Sequence, residues 1–354
     1  MTDKQLKLLE NLMSIPSPSG FEDDIAKYIS DQMLKLLPKK QVEIDNQKNV
    51  IVTIPGRNPE KKVMIDAHSD LIGFMVTNID NRGIISLQYI GGGDVSILSA
   101  RELQILTNKD IINAVVDRKH AHLIGDEEDE NIGDISEAQV DIGIRKRKEV
   151  QKYVKIGDPV VYKPKFQKLV KNYYSGYGFD DKSGCFVLME TIRKIVKSKR
   201  TPENTLIFTF SAQEETGYTK SRPLVRKYKP DLFIENDVTF ASDYLNDDLE
   251  KEVGKCELGK GMVVYRGVDI DKKSTELMEQ IAKKYKIKYQ VQASTGRNGY
   301  VAGDMTEFGV KIMITSIPLR NMHCPVETIN LMDLETGSNL LKEFLLSKKL
   351  LKGD

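Results

Sequence analysis

Histidine and cysteine are scarce in this chain. Its 354 residues hold four histidines (His68, His120, His122, His323) and three cysteines (Cys185, Cys256, Cys324). Three scattered cysteines exclude a disulfide framework or a zinc-finger cluster, and predict reduced thiols in a cytoplasmic protein. Charge of one sign is also missing. With 53 basic against 52 acidic residues, nothing points to nucleic acid or an anionic membrane as the main partner. No stretch approaches the ~20 apolar residues that span a bilayer. The opening "MTDKQLKLLENLMSIPSPSG" is charged and amphipathic, without the long apolar run of a signal peptide. What is present suits one large domain or two moderate ones: 40% apolar and 30% charged residues.

Periodicity divides the chain. Leu6, Leu9 and Met13 share one helical stripe, and Ile25, Ile29, Met33 and Leu36 recur at helical spacing behind Glu22-Asp23-Asp24. A strand at Asn49–Ile54, a turn "GRNPEK" and a buried strand "KVMIDA" follow. From about Gly73 to Tyr162 short β-like runs are broken by "DNRG", "GGGD" and "TNKD". This predicts a small all-β insert, barrel- or sandwich-like, at 73–163. It interrupts an α/β domain made of 1–72 and 164–354. There, strands alternating with helices predict a mixed, mostly parallel sheet flanked by helices. The acidic run "GDEEDEN" within the insert reads as a solvated loop.

Ligands of an open α/β sheet bind beyond the carboxyl ends of its strands. The residues found there are His68 and Asp70 after "KVMIDA", Glu214 and Glu215 after "NTLIFTF", Asp237 after "PDLFIEN", and His323 after "KIMITSIP". Asp180 and Asp181 precede the central helix. Singly, each has an ordinary reading: a hydrogen-bonded histidine, a helix cap, a solvated acidic pair, a turn aspartate. Together, without cations, the acids repel one another and rise in pKa. Two imidazoles plus carboxylates, without clustered thiolates, suit zinc, cobalt or manganese. Five such ligands can serve two metals if one carboxylate bridges.

The motifs carry a resemblance over nearly the whole chain. They run from "SIPSPSGFEDDIAKYI" through "DAHSDLIGFMV", "HLIGD", "DIGIRKRKEV" and "VKIGDPVVY" to "GFDDKSGCFVLME", "SAQEETG", "DVTFASD", "ELGKGMVV" and "HCPVETINLMDL". In order and spacing they resemble the tetrahedral aminopeptidases, the glutamyl or deblocking aminopeptidase family of dinuclear metallopeptidases. The resemblance implies a metal-dependent aminopeptidase that hydrolyses N-terminal residues from short peptides. It implies two divalent ions, with zinc first and cobalt or manganese as alternatives. His68 and Asp237 would bind one metal, Glu215 and His323 the other, and Asp180 would bridge. Asp70 would orient His68, and Asp181 would support Asp180 across a peptide that is often cis in the family. Glu214 would be the base that activates a metal-bridging water. The insert would be a PDZ-like domain that helps dimers assemble into a hollow homo-oligomer, such as a dodecamer.

Several residues depart from the family pattern. Leu71 replaces an acidic residue, Lys182 an arginine, Asn321 a tyrosine, and Cys324 a serine. "GYTKS", with Lys220, replaces "GLRGA". No ligand or base is lost, so these changes bear on substrate preference. Cys324 raises the question of a thiolate ligand, with packing the preferred reading. His120 and His122 form a His-x-His pair read as structural, and Asp304 in "AGDMTE" resembles a pocket residue of relatives. Other readings stay open. A related deacylase or carboxypeptidase-like hydrolase fits the same metals. A glycosidase fits less well, because its carboxylates face each other across a sugar. A scaffold with structural metals would need no unligated Glu214.

Overall fold

The computed structural model describes residues 1–123, 133–217, 220–245, 247–296 and 301–352. The whole acidic run, and Tyr218 and Thr219 of "GYTKS", lie outside these residues. Two helices open the chain, α1 (Asp3–Ser14) and α2 (Asp23–Leu34). A capping box between Thr2 and Gln5 starts α1, which buries Leu9, Leu12 and Met13. Asp23 and Asp24 occupy the first turn of α2, where the helix dipole favours them. Strands β1 (Val42–Ile44), β2 (Val50–Ile54) and β3 (Asn58–His68) follow. The turn expected at "GRNPEK" is therefore mostly strand. Asn58 pairs with Asn204 before the register jumps to Lys62 opposite Thr205, and this bulge absorbs Pro59.

Six strands form a closed barrel: β4 (Gly73–Ile79), β5 (Ile85–Ile90), β6 (Glu102–Leu106), β7 (Ile111–Val116), β8 (Val140–Asp141) and β9 (Pro159–Tyr162). Its interior is a hydrophobic cluster of its own, including Phe74, Val76, Leu87, Leu103, Ile105 and Val160. A single turn of helix, α3 (Arg147–Val150), precedes β9. The hairpin β10 (Phe166–Lys168) and β11 (Tyr173–Gly176) leads into α4 (Phe179–Ser198), whose regular geometry is interrupted at Asp180 and Asp181.

The alternating part continues with β12 (Asn204–Ser211), α5 (Ser221–Tyr228), β13 (Leu232–Phe240), α6 (Asp247–Val253), β14 (Met262–Gly267), α7 (Lys272–Tyr285) and β15 (Tyr289–Ser294). It ends with β16 (Lys311–Leu319), β17 (Glu327–Asn330) and α8 (Leu331–Leu345). Eight strands make one mixed sheet in the order β1-β2-β12-β3-β13-β16-β14-β15. The central four, β12, β3, β13 and β16, are mutually parallel. β2 and β14 run against their neighbours β12 and β16. The sheet is covered on both faces, as its apolar runs require. Val63, Ile65, Phe208 and Phe210 pack with α1, α2, α4, α7 and α8, while Met64, Ile207 and Phe233 pack with α5 and Met305. The short strand β17 escaped the sequence reading because only Ile329 of its four residues is apolar. The charged α5 escaped it because only Leu224 and Val225 mark its apolar side.

Phe186 of α4 is fully buried against this sheet. Phe186→Ala is expected to lower stability by about 3–5 kcal/mol in a urea titration. A loss below about 1 kcal/mol would contradict that packing.

Candidate metal centre

Parallel register brings the expected residues to one edge. Ser211 lies opposite His68, Glu235 opposite Asp66, and Asp237 opposite Ser316. His68 thus ends β3, Asp237 lies near the end of β13, the glutamate pair follows β12, and His323 follows β16. Asp180 enters from the start of α4 across a cis Asp180–Asp181 peptide.

These residues form two triads that share a member. Ligand atoms of His68, Asp180 and Asp237 lie within 4.8 Å of one another, as do those of Asp180, Glu215 and His323. Asp180 spans both. Its Oδ1 is 3.0 Å from His68 Nε2 and its Oδ2 3.3 Å from His323 Nε2. Glu215 Oε2 is 3.4 Å from His323 Nε2, and Asp237 Oδ1 is 3.7 Å from His68 Nε2. Glu214 stands outside both triads, with Oε2 4.0 Å from His68 Nε2.

The electrostatics are those of a cation site. Burial pushes the Glu214 carboxyl up to about 8 and that of Asp237 to about 7; His68 moderates both rises, and neighbouring carboxylates add to them. Burial also raises Glu215, reinforced by Asp180. Burial alone would raise Asp180 too, but its contacts with His323 and His68 hold it below the usual carboxylate range. Burial opposes charge on His323, yet Asp180 and Glu215 raise it to about 11. Two buried carboxylate oxygens, Glu215 Oε1 and Asp181 Oδ2, find no hydrogen-bond partner. Orphaned oxygens beside two nitrogen-and-oxygen triads fit divalent cations of the zinc, cobalt or manganese class.

Buried acids hold the turns that carry these groups. Asp70 Oδ1 accepts the Glu214 N–H and Oδ2 the Glu215 N–H, each at 3.1 Å. Ser19 Oγ donates to the same Oδ2 at 2.6 Å. Glu22 Oε1 accepts from Gly20 N (2.6 Å) and from Gln213 N (3.2 Å), the latter at φ 58°. The Asp70 carbonyl faces His68 Nδ1 at 3.2 Å. An acceptor there makes Nδ1 the donor and leaves the Nε2 lone pair for a cation. Glu327 Oε2 accepts from Gly178 N (3.0 Å), Phe179 N (2.7 Å) and Asp180 N (3.3 Å), and its Oε1 from His323 N (3.1 Å). The sequence reading missed Ser19, Glu22 and Glu327. Carboxylates in the β-forming "PVETI" and in the turn "SGFE" were the available signals.

The remaining candidates fall into place around this frame. Asp181 Oδ1 caps α4 by accepting the Gly184 N–H at 2.9 Å, so its ordinary capping role holds as well. Lys182 is fully buried, its ammonium pulled down to about 7 by burial, and it donates to the Ile15 carbonyl at the end of α1. Leu71 packs in the barrel cluster and lies against Gly178. Asn321 adopts φ 57°, a conformation asparagine tolerates, and donates its N–H to Tyr244 Oη at 3.2 Å. Cys324 is half-buried, its thiol raised by burial, and it gives no atom to either triad. His120 and His122 are exposed in the barrel segment, outside both triads. Asp304 is exposed and pairs with Arg222 at 3.4 Å. Lys220 precedes α5 and donates its N–H to the Ala212 carbonyl. The barrel's "GGGD" turn meets the site directly. A Cβ on Gly91 would lie 3.0 Å from the Glu215 carbonyl oxygen, and one on Gly92 3.5 Å from His323 Nδ1.

Residues 48–340 match the family described as M42 glutamyl aminopeptidase. A lysyl aminopeptidase of Pyrococcus furiosus is 31% identical over 353 residues, covering 96% of this chain and 96% of its own. A TET aminopeptidase of a marine sediment archaeon of the Thaumarchaeota superposes with a TM-score of 0.89 at 26% identity, over 98% of both chains. The Pyrococcus horikoshii TET1 peptidase, reported to assemble into a tetrahedron or a large octahedral shell, superposes at 0.85 and 26% identity, over 97% of this chain and 99% of its own.

Gly91→Ala tests the contact between barrel and site. Gly91 (φ 78°) abuts Glu215, whereas Gly157 (φ 91°) has nothing within 4 Å of a new Cβ. Both alanines strain the backbone. Only Gly91→Ala is expected to retain less divalent metal after dialysis, measured by elemental analysis. Equal retention by both variants would exclude any effect of that contact on the site.

Proposed function

As a member of the M42 glutamyl aminopeptidase family this chain is a metal-dependent aminopeptidase, and we propose that it removes N-terminal residues from short peptides with Glu214 as general base. One observation carries this reading: Asp180 is common to two triads, with Glu214 beside His68 and a member of neither. In it, His68 and Asp237 hold one divalent cation, Glu215 and His323 hold a second, and Asp180 bridges. Zinc is the first choice, and cobalt or manganese suit the same donors.

When bound, such cations supply positive charge that acidifies a water and polarises a peptide carbonyl. The chain's own groups do the rest. Asp70 fixes the His68 tautomer through its carbonyl and the glutamate turn through its carboxylate. With its backbone held, the pair diverges, Glu215 toward His323 and Glu214 toward His68. Burial raises the Glu214 carboxyl to about 8 without cations, and positive charge beside it would bring it down to where the carboxylate accepts a proton from water near neutral pH. It then returns that proton to the leaving amine.

The same reading assigns 1–72 and 164–354 to catalysis and the barrel, 73–163, to self-association. The barrel's separate core supports this, as do Ile111, Val115, Tyr153 and Ile156 exposed on this segment. By the family resemblance and by likeness to TET peptidase structures, one of them a dodecamer, we read the assembly as a hollow homo-oligomer, a dodecamer built from dimers. Free cysteines fit a cytoplasmic setting, and among the described residues no helix is long and apolar enough to cross a membrane.

Glu214→Gln is expected to keep its cations and lose turnover of aminoacyl-anilides by about 10²–10⁴-fold. Full activity in this variant would overturn the base assignment. Cation binding should also release protons. Before loading, His323 at about 11 is protonated at pH 7, and Glu214 and Asp237, at about 8 and about 7, are partly so. A cation displaces those protons, so affinity rises with pH. Calorimetry at pH 7 in buffers of different ionisation enthalpy should show release of about one proton or more. A heat independent of buffer would contradict this protonation pattern.

A further inference from the structure

Glu327 lies at the start of β17, where it is opposite Gly176 of β11. It is 2% exposed. The β11–β17 pairing places its carboxylate beneath the turn that leads into α4. One oxygen accepts from the N–H groups of Gly178, Phe179 and Asp180, and the other from the N–H of His323. A single side chain therefore ties together the two segments that present Asp180 and His323. The His323 segment needs such a tie, because both Asn321 (φ 57°) and His323 (φ 59°) have left-handed backbone conformations. The other triad is built differently. His68 and Asp237 belong to β3 and β13, adjacent central strands held by the sheet.

We propose that Glu327 is a positioning residue that sets the affinity of the Asp180–Glu215–His323 cation position in preference to the His68–Asp180–Asp237 position. This rests on the two-cation reading above. All four partners of Glu327 are donors, and a carboxylate offers acceptors on both sides. Glutamine is nearly isosteric but offers one acceptor and one donor group. Glu327→Gln therefore sets an NH₂ against either the His323 N–H or the three N–H groups of the α4 turn. The tie holds on one side only, and Asp180 and His323 lose their fixed separation.

The test titrates zinc and cobalt separately into the cation-free full chain. Bound metal is counted by elemental analysis after dialysis, and cobalt is followed by its visible absorption. The parent is expected to take two ions. Glu327→Gln is expected to hold one as tightly as the parent and the second about 10–100-fold more weakly, the usual effect of losing a group that orients a ligand. A general loosening of the fold would not split the two affinities in this way. Two ions bound with parental affinities, or both weakened equally, would overturn the proposal. A parent that takes one ion or none overturns the two-cation reading itself, and the proposal with it, so the two failures are distinct. If Glu327→Gln does not fold, as judged by circular dichroism, Glu327→Asp replaces it. It keeps two acceptors but is too short to reach both segments, and the same outcomes decide.

Discussion

Backbone N–H groups held by buried carboxylates are what this site stands on. Three acids, Glu22, Asp70 and Glu327, accept from the turns that carry Glu214, Glu215, Asp180 and His323. Leaving a buried backbone donor unmade costs about 1–3 kcal/mol, so each of these acceptors restrains the turn it faces. These turns have no strand ladder to fix them. Gln213, Asn321 and His323 all sit at positive φ, where side chains rarely settle unaided. The carboxylates supply the restraint the sheet cannot provide beyond its edge.

The same economy links the two cores. The chain leaves β3 at His68 and reaches the barrel at Gly73 with few residues between. That short link is tied at several points. Leu71 exchanges backbone hydrogen bonds with Ser17 and Ser19, and Tyr177 donates to the Ile72 carbonyl. From the barrel side, Gly91 and Gly92 come up against Glu215 and His323. Barrel and sheet therefore meet at the site as well as along the connecting strand. The departures Leu71 and Lys182 belong to this joint: one packs in the barrel core and the other reaches the end of α1. Neither gives an atom to either triad.

How much was legible beforehand differs from residue to residue. Asp70 was readable because it stands two residues from His68 on the same strand end. Glu327 was not. Its partners at Gly178 and Phe179 are 149 and 148 residues away, and nothing in "PVETI" says which loop lies over it. The capping role of Asp181 was readable, since a cap is a local property. Asn321 was read only as a departure bearing on substrate preference; that it is also a turn residue is something φ shows and the sequence did not. The start of β3 was misjudged because "NP" usually breaks a strand, whereas here a bulge opposite β12 accommodates it.

By itself the sequence determined the residue types of the site, their placement after buried strands, and the alternation of elements that makes a parallel sheet. Each of these is a local pattern, set by side-chain chemistry and by periods of two and 3.6 residues. The tertiary structure decided which oxygen of Asp180 faces which histidine, that Glu214 stays outside both triads, and that Glu327 ties Asp180 to His323. Those relations depend on strand order, register and the angle at which turns leave the sheet. They become definite only when distant segments pack, because a hydrogen bond is set to within a few tenths of an ångström and chain spacing carries no such precision.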